Sequence, residues 1–358
     1  MMRTLAAAVL TALVAACAGI GPGTVPHDRI DYGSAIGDSW KEQTLLNIVK
    51  LRYADMPIFL EVAQVIAGYQ LQSAVTGSVT LGNFTASLID RLTAAGTATA
   101  GGTYTDRPTV VYSPPTGVDF LKRLMTPIPP SSVLFMLQSD YSAERIMPIM
   151  LDSINGLNNE SNRLRRPADP KFTRPCRAVA GRSACRRHPD SHRTSQGWCR
   201  ELRADFWTEQ GPTARSKGTE TKNILGLKPD LRELKVNYGG YSGRNDEIDM
   251  MTRSMLQIML EFAAVVQVPE SDVAQGKATP GLVDASGAAL NGPPLRVLVT
   301  DAAPQDAFVA AQYDERWFWI ADTDIQSKYT FAIIMLLFSI ADTGVRGSAP
   351  VVTIPANQ

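Results

Sequence analysis

Apolar residues recur at steps of three and four across residues 245–266: Ile248, Met251, Met255, Ile258, Met259, Phe262 and Val266. That spacing lays them along one helix face, and Asp246, Glu247 and Asp249 crowd the end where the backbone dipole is positive. The pattern predicts one helix over the whole segment. A second stripe, Ile36, Trp40, Leu45, Ile48 and Val49, predicts a helix over 34–53 with Asp38 as its cap. Asp55-Met56-Pro57 stops it, because proline disfavours helix in the residue before it. From Tyr69 the period falls to two. Tyr69, Leu71, Val75, Val79 and Leu81 alternate with Gln70, Gln72, Ala74, Thr76, Ser78 and Thr80, and Ser73 and Gly77 are the weak members of the apolar set. Such alternation predicts a strand with one wet face. Thr109-Val110-Val111-Tyr112 predicts another, residues 58–67 fit strand or helix, and the Gly- and Ala-rich 93–103 read as a mobile loop.

Further along, short helices are predicted over 117–125, 131–138 and 142–154, the first two separated by Pro127, Pro129 and Pro130. Residues 231–238 read as a strand ending at Gly239-Gly240, and 274–294 as loop. Strands follow at 295–300, 307–313 and 317–321, the last two joined as a hairpin by Asp314-Glu315-Arg316. Thr323 or Asp324 caps a last helix over 325–340, with Trp317 or Trp319 expected to pack on Phe331, Ile334 or Leu337. Its apolar run, 331–341, is shorter than the roughly twenty residues a bilayer span needs, so it is a buried core helix. Helices and antiparallel strands are segregated rather than alternating, which makes the fold α+β with a C-terminal β-hairpin followed by a buried helix.

The start of the chain follows a different logic. Met1-Met2-Arg3, a short apolar stretch and Leu13-Val14-Ala15-Ala16-Cys17 form a positive start, an apolar centre and a small-residue cleavage site. The ending resembles the lipobox of bacterial lipoproteins, a family in which the cysteine becomes the new N-terminus and carries lipid, palmitate included. Residues 1–16 are then a signal peptide, 17–32 a flexible Gly- and Pro-rich tether, 33–160 an N-terminal α+β half and 224–345 a C-terminal α+β half, with 346–358 a disordered tail. Ala18 after the cysteine implies an outer-membrane lipoprotein facing the periplasm, by the sorting habit of the enteric members of that family. Two blocks, 39–53 (Ser39-Trp40-Lys41-Glu42-Gln43 onward) and 306–328 (Asp306-Ala307-Phe308 with Trp317-Phe318-Trp319-Ile320), look like a set of uncharacterised proteobacterial lipoproteins. That resemblance covers roughly residues 28–160 and 225–345, and implies an envelope location and no particular activity.

Charge changes the picture in one place. Overall 35 basic and 35 acidic residues cancel, so no global field points to nucleic acid. Residues 161–223, however, form a basic, low-aliphatic insert. Within 174–215 nine arginines face Asp190, Glu201, Asp205 and Glu209, and Val179 and Leu202 stand alone as aliphatic residues among Val, Leu, Ile and Met. So little apolar surface cannot offset an ordering cost of about 1–2 kcal/mol per residue, and no packed core is expected there. Three readings fit. Cys176, Cys185, His188, His192 and Cys199 are zinc-ligand types. The arginines would suit a basic arm, and the abrupt edges suit a stretch read out of frame, which is the favoured reading.

Candidate chemistry is otherwise thin. No Gly-x-Ser-x-Gly, His-Glu-x-x-His or Ser-x-x-Lys occurs, and Gly276-Lys277 lacks the rest of a phosphate loop. Asp322-Thr323-Asp324 could hold a hard cation but reads better as a helix cap, as does Asn245-Asp246-Glu247. Trp317-Phe318-Trp319 could stack a ligand and reads better as core and edge cover, and the Met stripe of 245–266 as core. No cofactor and no catalytic residue is assigned, and the expected partners are the membrane, through lipid on Cys17, and an envelope protein or cell-wall component. A non-catalytic binding or scaffold lipoprotein is the favoured reading, and an envelope hydrolase acting on cell-wall or lipid material through unidentified carboxylates is the alternative. Mass spectrometry of the membrane fraction is expected to find a modified Cys17 as the mature N-terminus, with Cys17→Ser released from the membrane. A soluble wild-type protein starting elsewhere would refute the anchor.

Overall fold

The computed structural model describes residues 21–66, 69–80, 95–106, 109–113, 118–139, 141–164, 166–172, 202–204, 219–231, 234–279 and 295–341. The chain divides into two compact units, Met1–Ser39 with Leu60–Pro115, and Trp40–Phe59 with Thr116–Gln358. Helix α1 (Gly21–Arg52) begins in one and ends in the other. Residues 21–32, expected as flexible tether, are thus helical. A helix nucleated by the stripe that follows gains one bond for each residue added, and Pro26 near its start forfeits a single ladder bond. The buried face is Thr44, Leu45, Asn47, Ile48, Val49 and Arg52, whereas Ile36 and Trp40 stay exposed. Ala54 in the left-handed region (φ 58°) closes the helix, with Asp55 N donating back to Lys50 O at 2.8 Å. Beyond the turn, Asn47 clamps the chain by donating to Ile58 O (2.8 Å) and accepting from Ile58 N (2.9 Å).

The larger unit contains helices α2 (Val118–Met125), α3 (Pro130–Gln138) and α4 (Ala143–Met150), which feed a mixed sheet. Its strands are β5 (Leu151–Ile154), β6 (Leu157–Asn158), β7 (Leu202–Ala204), β8 (Leu234–Tyr238) and β9 (Glu247–Thr252), in spatial order β6-β5-β9-β8-β7. The helix expected over 142–154 therefore ends at Met150. Asn155 and Gly156, both at positive φ (44° and 79°), make the tight turn from β5 into β6, the conformation an Asn-Gly pair favours. Strands β8 and β9 run parallel although only residues 239–246 join them. Gly243 at φ 77° permits that sharp return, and Asp249 pins it by accepting from Ser242 N (2.7 Å) and Oγ (2.6 Å).

This sheet corrects the long helix expected over 245–266. Its first part is strand β9, and helix α5 is only Met255–Ala263. Between β5 and β8 strand β9 is buried except at Met251: Ile248, Met250 and Thr252 are buried on one face, Glu247 and Asp249 on the other. A complete capping box starts α5, Ser254 Oγ accepting from Gln257 N and the Gln257 amide oxygen accepting from Ser254 N. The expected basic insert is also narrower than 161–223. Ser161, Asn162 and Phe172 are buried on one side of it and Thr221 and Lys222 on the other. Lys222 Nζ donates to Pro229 O (2.8 Å) and Leu231 O (2.6 Å), and burial lowers its pKa. Of 174–215, Leu202–Ala204 are described, as strand β7 beside β8; the rest, like Cys17 and the tail 346–358, lies outside the described residues.

After the short helix α6 (Glu270–Ala274), strands β10 (Leu298–Thr300), β11 (Ala307–Tyr313) and β12 (Arg316–Ala321) form a sheet in the order β10-β12-β11, followed by helix α7 (Ile325–Ala341). The predicted hairpin is present, turned by Asp314 and Glu315 at φ 47° and 63°. Phe318 and Ile320, not the tryptophans, are the fully buried members of β12, sharing one core with Phe331, Ile334 and Leu337 of α7. Strand alternation then leaves Trp317 and Trp319 half-buried on the other face.

The smaller unit holds β1 (Glu61–Ile66), β2 (Tyr69–Thr80), β3 (Ala95–Asp106) and β4 (Thr109–Ser113). β1 pairs with β4 and β2 with β3, both antiparallel. The loop expected at 93–103 is largely β3: Gly, Ala and Thr carry little strand signal alone, and the ladder to β2 decides their state. Truncating a large buried aromatic costs about 3–5 kcal/mol. Phe318→Ala is expected to lower unfolding free energy by that much in a denaturant titration, and Trp317→Ala by less than half of it. Equal costs would refute the facing of β12.

Candidate functional site

The two small sheets are separate two-stranded ladders in one register, a ribbon in two parts. Ile66 opposes Thr109 and Tyr69 opposes Asp106, with a bulge near the base between Val62 and Gln64. The pleat places Tyr69, Leu71, Val75 and Val79 on one face and Gln70, Gln72, Thr76, Ser78 and Thr80 on the other. By register, Asp106, Tyr104, Gly102, Ala100, Ala98 and Gly96 belong with the first face, and Thr105, Thr103, Gly101, Thr99, Thr97 and Ala95 with the second. Among the described residues β2 and β3 have no third strand, so each presents an unpaired backbone edge. At the base Val110, Val111 and Tyr112 are exposed, Tyr112 by 60%.

In the larger unit a surface hollow of about 630 Å³ is lined by Leu295, Arg296, Leu298, Thr323, Asp324 and Ser327 among others. It contains two of the three residues weighed as a cation site. Asp324 is instead the cap of α7, accepting from Ser327 N (3.1 Å) and Ser327 Oγ (2.8 Å), and these bonds hold its pKa below the usual value. Asp322 accepts from Lys328 Nζ at 2.6 Å. Asp246 likewise pairs with Arg244 (3.2 Å), and Met255 and Met259 are core, as expected, with Met251 the exposed member of that stripe. Among the described residues no group of three or more His, Cys, Asp or Glu could hold a metal ion. Cys176, Cys185, His188, His192 and Cys199 lie outside them.

Arg253 and Glu261 are two of the buried charges of the larger unit. Arg253, 5% exposed, donates from Nη1 to Pro148 O (3.0 Å) and from Nη2 to Glu160 O, with Asp152 at 3.9 Å, and burial lowers its pKa. Glu261 accepts from Ser161 Oγ (2.7 Å), Asn162 N (2.6 Å) and Arg163 N (3.3 Å). Burial, and then the nearby Glu261 charge, raise the pKa of the Glu160 carboxyl. Each of these groups ties one segment of backbone to another, and none of them lines the hollow. Their role is cohesion.

Protein-family models, curated proteins and solved structures offer no match to this chain. The ribbon is therefore judged on its own geometry. Sequence reading found β2 and β4 but missed β3, whose threonines at alternate positions were the available signal. It also missed Asn155, whose Oδ1 accepts from Asp249 N (2.7 Å) and whose Nδ2 donates to Leu225 O (2.9 Å); the Asn155-Gly156 pair was its signature. Removing one partner of a buried charge set costs about 3–5 kcal/mol. Glu261→Ala is expected to destabilise the larger unit by that amount in chemical denaturation, and Ser161→Ala by about 1 kcal/mol. A Glu261→Ala variant as stable as wild type would remove the cohesive role.

Proposed function

We propose that this is a lipid-anchored envelope protein that binds or scaffolds another envelope component, tethered through Cys17 to the periplasmic face of the outer membrane. One observation carries the reading: a long two-stranded ribbon whose edges have no strand partner among the described residues, with one largely apolar face and exposed Val110, Val111 and Tyr112 at its base. Natural edges are normally blunted by Lys, Pro or burial, and an unblunted one is a template for pairing. Neither Lys nor Pro occurs between residues 62 and 106. The hydrolase alternative would need carboxylates converging in a cleft. The one carboxyl that burial raises among the described residues, Glu160, stands apart from the hollow.

A photoreactive residue at Tyr112 should form a discrete adduct in intact cells, while one at the exposed turn residue Glu315 should not. Cys17→Ser should abolish the Tyr112 adduct by moving the protein away from its partner. Adducts of equal yield at both positions, or at neither, would refute the binding arm.

A further inference from the structure

We infer that the β2–β3 hairpins of several copies join edge to edge into a β-barrel that crosses a lipid bilayer. The inference takes the ribbon as the binding arm proposed above and names what it binds: hydrocarbon on one face, further copies at both edges. Four observations converge on it. The first is length. Each strand has twelve residues, roughly 40 Å at about 3.3 Å per residue, and a strand of about 9–11 residues tilted by about 45° spans a bilayer.

The second is the two-faced pattern. One face carries Tyr69, Leu71, Val75, Val79, Tyr104 and small residues, suited to lipid above its base end, where Asp106 stands opposite Tyr69. The other carries Gln70, Gln72, Thr76, Ser78 and threonines of β3, polar without charge, as suits a wet lumen. A soluble half-buried sheet would carry charges on its wet face. Here none occurs from Val62 to Ile89 or from Leu92 to Thr105; Asp90 and Arg91 fall between the strands and Asp106 closes the base.

The third is the placement of the aromatics. By register Tyr69 and Tyr104 both fall at the base end of the apolar face, beside Asp106, where aromatic girdles of membrane barrels lie. The fourth is the edges. A lone two-stranded hairpin is marginal in water, and only closure satisfies every edge group within hydrocarbon. Each copy supplies two strands, so the smallest known barrels, of eight strands, would take about four copies. No helix among the described residues is long and apolar enough to cross a membrane.

The test uses full-length mature protein reconstituted into dye-loaded vesicles of phosphatidylethanolamine and phosphatidylglycerol. Wild type should release dye in proportion to a crosslinkable oligomer. Val75→Arg, at mid-strand on the lipid face, should cut release at least about tenfold, since a mid-bilayer arginine there costs more than a tenfold equilibrium factor. Thr76→Arg, its neighbour on the lumen face, should still insert and turn the conductance towards anions. An unchanged melting curve of the larger unit in both variants would separate insertion from misfolding. If the two variants behave alike, or wild type releases no dye, the barrel is overturned. In that case a surviving Tyr112 adduct with a different envelope protein preserves the binding arm, and its absence removes both readings.

Discussion

Arg253 stands where strand β9 gives way to helix α5, and its buried charge organises the larger unit. A guanidinium taken out of water must be met by oxygen atoms, or its desolvation would exceed anything the surrounding apolar contacts supply. Pro148 O and Glu160 O meet it, and both come from the segment that leaves α4, forms the β5–β6 hairpin and returns. Its own backbone N–H donates to Met150 O at 2.7 Å. Glu261, one helical stretch later, collects Ser161 and the N–H groups beyond it. The two charges therefore bind residues 148–163 to residues 253–261 at both ends.

With β9 held on that side, its other edge accepts β8 in parallel. Asp249 and Asn155 make this possible, one pinning the short return through Ser242 and the other bridging Asp249 N to Leu225 O. Tyr241 lies over Gly156, where a Cβ would come within 3.3 Å of its ring, so the turn needs glycine for space as well as for φ. Buried polar groups thus decide the topology here, and hydrophobic burial supplies most of the stability.

The smaller unit obeys the opposite economy. Its ribbon has a regular ladder, and its composition is Gly, Ala, Thr, Gln and Val almost without charge. Among the described residues its two long edges have no strand partner; water can satisfy those backbone groups, and hydrocarbon cannot.

Much of this was legible in the chain itself. The α+β class, strand β2 with its two faces, the hairpin β11–β12, the cap at Asp324 and helix α7 all follow from local period and turn chemistry. Those are near-neighbour effects, so the amino acids in sequence determine them. The state of 247–252 did not follow, because Ile248, Met251 and Met255 fit a helical face and a covered strand equally well; pairing to β5 and β8 decided between them. Nor did the state of 95–106, where small residues have weak preferences and the ladder to β2 supplies the missing hydrogen bonds. The facing of Trp317 and Phe318 was likewise set from outside the strand, since a period of two defines two faces but not which one meets α7. Lys222, Arg253 and Glu261 gave no sign in sequence of being buried, because what keeps a charge inside is the set of carbonyl and N–H groups that distant segments bring to it.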